Sequence, residues 1–314
     1  MRTGGWTGRQ ALEFELMQTL ETRAAEPAEP MPAPDPNWLR IVNWQKTNPP
    51  PEAMSRAHFE ERAILEFSAE RARQILRLAR PAIGLWPQRQ SPTASPLASR
   101  HGGEVSAPRD WHWPIWEEEP MYFLGQIYCL DLAGLPGAEL LPQQGLLTFF
   151  GDFDAIAGCG PAGSVEQGAV YYWPEADLAA TEPPLPLGYP KERVATPLLF
   201  RPFIDLPDPF SEIVRQLALN DAERELYRSL RQALREHNIP QDVVNYCDLD
   251  SKILGWPALV QGDFMLPQTG VDAYRQLIQL PARLGPGGSL YFFIHDADLA
   301  ARRFDQCILE EQST

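Results

Sequence analysis

The chain has 314 residues, 44% of them apolar, so it can bury a core without disulfide or metal staples. Residues 1–110 are close to neutral, with 14 basic and 13 acidic side chains, whereas residues 111–314 carry 13 basic against 29 acidic. That balance argues against nucleic acid and anionic membranes, which attract clustered cations, and it favours a cationic protein partner.

In chain order, Leu12, Leu16 and Leu20 at four-residue spacing predict an amphipathic helix within 1–25. Pro27, Pro30, Pro32, Pro34 and Pro36 follow, and the segment 26–54 reads as a semi-rigid spacer. A helical extension is expected over 55–90, its helix capped at Ser55 and running to about Ala79, with Ile64, Phe67, Ile75 and Leu78 on one face. Gln88–Pro108 reads as a loop, and 91–314 as the main body.

From Trp111 the pattern changes to short apolar strands: 121–130, 145–150, 169–173 and 289–294. One long helix interrupts them, capped at Asn220 and running through Glu236, with Leu226, Leu230 and Leu234 buried. Strands with inserted helices and no regular βαβ alternation predict an α+β fold with an antiparallel sheet.

An internal repeat is expected, with copies at about 99–190 and 245–314. Trp113-Pro114 and Gly145-x-Leu147-x-Phe149-Phe150 match Trp256-Pro257 and Gly288-x-Leu290-x-Phe292-Phe293 at a constant offset of 143 residues. A second register aligns Ser99-Arg100-His101-Gly102-Gly103 with Ser251-Lys252-Ile253-Leu254-Gly255. A cleft between two copies is a natural ligand site.

The sequence carries few catalytic signatures. Ser164 and Ser289 lack the Gly-x-Ser-x-Gly elbow, no His-x-x-x-His pair or phosphate-cradling glycine loop occurs, and no metal or cofactor is implied. His295, Asp296 and Asp298 follow an apolar strand and could serve acid–base or metal chemistry. Asp298 equally suits the cap of a following helix. Glu117–Glu119 reads as a solvated loop. Trp111, Trp113 and Trp116 are either core or a platform for a sugar, base or partner. Trp113, Gln126, Trp256, Gln261, His295, Asp296 and Asp298 are therefore the candidate binding residues.

Met1–Gln18 lacks a secretory leader's apolar stretch, no run is long enough to span a bilayer, and Cys129, Cys159, Cys247 and Cys307 form no Cys-x-x-Cys. A cytoplasmic location follows. The function expected is that of a non-catalytic acidic protein engaging a protein partner, as an immunity protein or adaptor. The alternatives are a hydrolase or a small-molecule sensor with its site between the repeats.

Ser99-x-x-Gly102-Gly103, Trp113-Pro114, Phe123-Leu-Gly-Gln126-Ile and Leu141-Pro-x-x-Gly145-Leu-Leu-x-Phe-Phe150 occur in order. They are followed by Leu254-Gly-Trp-Pro257, Gln261, Gly288-Ser-Leu-Tyr-Phe-Phe-Ile294, Asp298-Leu-Ala-Ala301 and Phe304. Over about 99–307 this set resembles the YwqG-like family, bacterial proteins of unknown function, and the resemblance implies an α+β fold containing a duplication. The chain departs from that pattern at Ser251-Lys252, where the resemblance expects a histidine, and at Leu284-Gly-Pro286, where it expects Trp-Gly-Asp.

Overall fold

Ser55 opens the first helix, α1 (Arg56–Glu66), by accepting the His58 N–H at 3.2 Å. The chain turns extended at Phe67, and Ser68 caps α2 (Ala69–Leu78) by accepting the Arg71 N–H. The single helix expected from Ser55 to Ala79 is thus two, because Ser68 offers a second N-cap. Phe59, Ala63, Phe67, Ala72 and Ile75 pack with Val214 of α3 (Glu212–Arg215) and with Tyr227, Leu230 and Leu234 of α4 (Asp221–Glu236). A reciprocal capping box starts α4. Asn220 Oδ1 accepts the Glu223 N–H at 2.9 Å, and the Glu223 carboxylate accepts the Asn220 N–H at 3.0 Å.

The computed structural model describes residues 54–87, 95–108, 110–152, 168–174, 186, 194–236, 251–264, 266–267, 272–281 and 288–313. All of them belong to one unit, Pro51–Thr314. The helix expected in 1–25, nearly all of the proline spacer and Ser164 lie outside the described residues.

The strands are β1 (Arg80–Pro87), β2 (Arg100–His101), β3 (Ile115–Trp116), β4 (Glu119–Pro120), β5 (Tyr122–Tyr128) and β6 (Leu146–Gly151). After them come β7 (Gly168–Trp173), β8 (Thr196–Asp205), β9 (Lys252–Leu254), β10 (Tyr274–Pro281), β11 (Gly288–His295) and β12 (Ile308–Ser313). Among the described residues, ten form one antiparallel sheet in the order β12-β11-β10-β9-β1-β8-β2-β5-β6-β7, and β3–β4 is a separate hairpin. Helices around a large antiparallel sheet make this an α+β protein. One stretch expected to be helical is a strand. Arg80–Pro87, inside the expected helical extension, is a strand at the middle of the sheet, paired with β8 on one side and β9 on the other.

The two halves of the sheet are laid out alike. In each, a very short strand (β2 or β9) lies between a long strand (β8 or β1) and a bulged hairpin. The β5–β6 bulge falls between Phe123 and Gly125, facing Phe150 and Phe149. The β10–β11 bulge falls between Gln276 and Ile278, facing Phe293 and Phe292. Alternate residues on the inner face, including Leu147, Phe149, Val170, Leu290, Phe292 and Leu309, enter one shared core. The rings of Phe149 and Phe292 meet at 5.4 Å, so the sheet curls nearly into a barrel. Each such side chain, fully buried, contributes roughly 1.5–3 kcal/mol.

The outer face of each half is covered by the segment that leaves its short strand. Both exits use two consecutive left-handed residues, Gly102–Gly103 and Leu254–Gly255. At Gly103 a Cβ would lie 2.7 Å from the Ala195 Cβ, and at Gly255 one would lie 2.6 Å from Asp205 Oδ2, so glycine is required at both. No helix among the described residues is long and apolar enough to cross a membrane.

Candidate functional site

One charged neighbourhood gathers where β1, β10 and β11 meet the exit of β9. The apolar run of β11 ends at His295, whose Nδ1 accepts the Ala297 N–H at 3.2 Å and so caps the five-residue helix α5 (Asp296–Ala300). The sequence reading placed Asp298 at this cap. The cap instead falls three residues earlier, at His295, which puts Asp298 in the first turn of the helix, bonded to Arg303. Asp296 accepts from Arg275 at 2.9 Å, and the His295 ring stands edge-on to Tyr274 with Nε2 3.9 Å from Asp272. Each of these three candidate side chains is therefore engaged in local structure. Among the described residues, no group of three or more His, Cys, Asp or Glu is placed to hold a metal ion.

Trp256 belongs to this neighbourhood but is buried. Its Nε1 donates to Leu78 O at 2.7 Å, and the Arg80 guanidinium lies 3.5 Å from its ring centroid. Burial, reinforced by the nearby Arg275 charge, pulls the Arg80 pKa down to about 10. Beneath it, Asp205 Oδ2 accepts from both Lys252 Nζ and the Trp256 N–H at 2.8 Å. Gln261 is exposed, on the covering segment of the second half, and donates its N–H to Gln312.

Trp113 and Gln126 lie in the other half, so the seven candidates do not converge on one cleft. Trp113 packs on the outer face of β5–β6 with Met121, Phe123 and Phe150, and its Nε1 donates to Met121 O at 2.7 Å. Gln126 is fully buried, its amide donating to Pro96 O and Ala98 O. It opens a row of facing residues across four strands: Arg100, Gln126, Thr148 and Tyr171. Trp111 covers the end of that row. Its ring lies 5.5 Å from Tyr171 edge-on and 6.1 Å from Trp173, and those two are stacked with an interplanar angle of 3°. Burial raises the Tyr171 hydroxyl above its ordinary pKa. The sequence reading passed over Thr148, Tyr171 and Trp173. Little in the pattern signalled them: Thr148 is the one polar residue of β6, and Tyr171 and Trp173 read as members of an apolar strand.

The third feature is the β3–β4 hairpin, whose two-residue turn is Glu117–Glu118 with φ of 44° and 73°. Such a turn normally takes Asn-Gly, since side chains with a Cβ are strained there. Glu117, Glu118 and Glu119 are exposed beside Ile115, and the three glutamates form no ion pair among the described residues.

The fold and these surfaces define an α+β protein whose buried charges Arg100, Asp205 and Lys252 are engaged by its own structure. Residues 99–312 match the family described as a domain of unknown function, DUF1963, and the chain belongs to that family. The match leaves out α1, α2 and β1, although β1 is internal to the sheet. No curated protein matches the chain.

Proposed function

We propose that this is a non-catalytic cytoplasmic protein that binds a protein partner bearing a basic patch, in an immunity or adaptor role. The observation that carries the reading is the β3–β4 turn. Two adjacent glutamates occupy left-handed backbone that disfavours them, and strain of this kind persists where the side chains are needed. Exposed Ile115 supplies an apolar anchor beside the three carboxylates. The excess of 29 acidic over 13 basic side chains in 111–314 steers a cation inward and repels nucleic acid.

Two finer assignments accompany the reading. The ordered motifs over 99–307 support grouping the chain with the YwqG-like proteins. An ancestral duplication accounts for the paired left-handed exits, the matched bulges and the facing Phe149–Phe150 and Phe292–Phe293 pairs.

The test is capture from source-cell lysate with the full chain at low and moderate salt, beside Glu117→Gln/Glu118→Gln/Glu119→Gln. A stoichiometric partner that is lost with salt and lost with the triple variant is expected. Retention by the variant, or indifference to salt, overturns the reading. Glu117→Asn/Glu118→Gly serves as a folded control: it relieves the turn and should raise stability by about 0.5–1 kcal/mol while removing two charges.

A further inference from the structure

Thr148 and Gln126 are fully buried and face each other across β5 and β6, yet Thr148 Oγ1 and Gln126 Oε1 have no hydrogen-bond partner. Trp111 Nε1 and Trp173 Nε1, in the aromatic stack that adjoins Tyr171 in the same row, are also buried and unpartnered. The corresponding row in the other half is satisfied, although Gln276 Oε1 and Ser251 Oγ beside it are also buried without a partner. There Gln279 Oε1 accepts the Ala258 N–H at 3.0 Å, and the Tyr291 hydroxyl donates to Ala258 O at 2.6 Å. A fold that satisfies this row once and leaves it open once has kept polar groups for something other than its own chain.

The orphaned groups define the chemistry of an occupant. Two are donors (the indole N–H groups), one is an acceptor (the Gln126 carbonyl) and one is both (the Thr148 hydroxyl). The adjoining charge, Arg100, is committed to the carbonyls of Pro96, Ala98 and Glu104, so a charged ligand would find no counter-ion there. Tyr171 faces Thr148 across β6 and β7, and the rings of Trp111 and Trp173 contact Tyr171. Hydroxyls that both donate and accept, on a body with an apolar face, meet all of these demands. We propose that the outer face of β5–β7 is a binding site for a small neutral polyhydroxylated ligand of the sugar class, floored by Gln126 and Thr148 and closed by Trp111. Trp111 sits between exposed Asp110 and His112, and its side chain is held by ring contacts, so it can swing aside for entry. This goes beyond the partner-binding reading and shares no residue with the β3–β4 turn.

The experiment is saturation-transfer NMR on the full chain with D-glucose, D-galactose and N-acetyl-D-glucosamine as probes, alongside intrinsic tryptophan fluorescence. Transfer to the ring protons of at least one sugar is expected, with a matching fluorescence change. Binding should weaken at least tenfold in Thr148→Val and in Trp173→Phe. The thermal midpoint of Thr148→Val should stay level or rise, since that change deletes an unpartnered hydroxyl. Absence of transfer from all three sugars to the folded chain overturns the proposal. So does undiminished binding by Thr148→Val, or a crystal soaked in the sugars that shows only ordered water on Gln126 and Thr148.

Discussion

The two halves of the sheet share a plan but settle their outer faces differently. In the second half, Gln279, Tyr291 and Gln312 bind the main chain of Ala258, Val260, Gln261 and Gly262, and the covering segment is stitched to the strands. In the first half the cover is aromatic: Trp111 and Trp113 lie over Phe150 and Tyr171, and the polar row beneath keeps two buried oxygen atoms unpartnered. A stitched face is stable and closed, whereas an aromatic lid over open polar groups is the cheaper one to lift. Equal topology therefore does not make equal sites.

The sharpest way to break the comparison is at the matched cations. Lys252 and its partner Asp205 are 6% and 4% exposed, and Lys252→Met would strand the carboxylate with the Trp256 N–H. A loss of about 3–5 kcal/mol is expected in urea unfolding. Arg100, its counterpart, binds the neutral carbonyls of Pro96, Ala98 and Glu104, so Arg100→Met should cost clearly less. Equal losses would show that the two halves do not differ here. Gly255→Ala comes next, by about 2 kcal/mol, because a Cβ at φ 74° meets both Asp205 and Ala82.

The sequence made the apolar elements legible. Asn220 with the Leu226, Leu230 and Leu234 stripe announced α4, and the unbroken apolar runs announced β5, β6, β7 and β11. Other strands were hidden for physical reasons. Pro81, Gly84 and Pro87 break the pattern of β1, and Pro197 and Pro202 that of β8. Buried Gln276 and Gln279 make β10 look polar, and β2 and β9 are only two and three residues long. The candidate residues Trp256 and Asp296 were recognisable as types, but their shared neighbourhood depends on Arg80 and Arg275, which strand pairing alone brings near. Thr148 was unreadable because its importance lies in what it does not bind.

A finer test compares the two rows directly, with opposite signs expected. Tyr291→Phe removes a 2.6 Å hydrogen bond to Ala258 O and should cost about 1 kcal/mol. Thr148→Val removes a hydroxyl that has no partner and should be neutral or stabilising by up to about 1 kcal/mol. Paired urea titrations read both, and a loss at Thr148 would mean that its hydroxyl is satisfied in the free protein.

The smallest effect expected is electrostatic and lies at the far ends of those rows. Tyr171 ends one and Glu310 the other, facing Thr148 and Tyr291, and burial raises both above their ordinary pKa. A carboxyl raised in the folded state holds its proton where the unfolded chain has released it. Stability therefore falls as pH climbs from the ordinary carboxylate value to the raised one. Glu223 works the other way: the Arg71 hydrogen bond lowers its pKa, so its contribution is present above the ordinary value and fades on acidification. Glu310→Gln should flatten the decline on the alkaline side of that range and leave the Glu223 limb intact. Because Glu310 is only half-buried, solvent screening keeps its effect below that of Tyr291→Phe. Melting midpoints of the two chains across pH 3 to 7, about the span of perturbed carboxylates, would separate the limbs. A parallel shift at every pH would mean that Glu310 acts through packing and not through its charge.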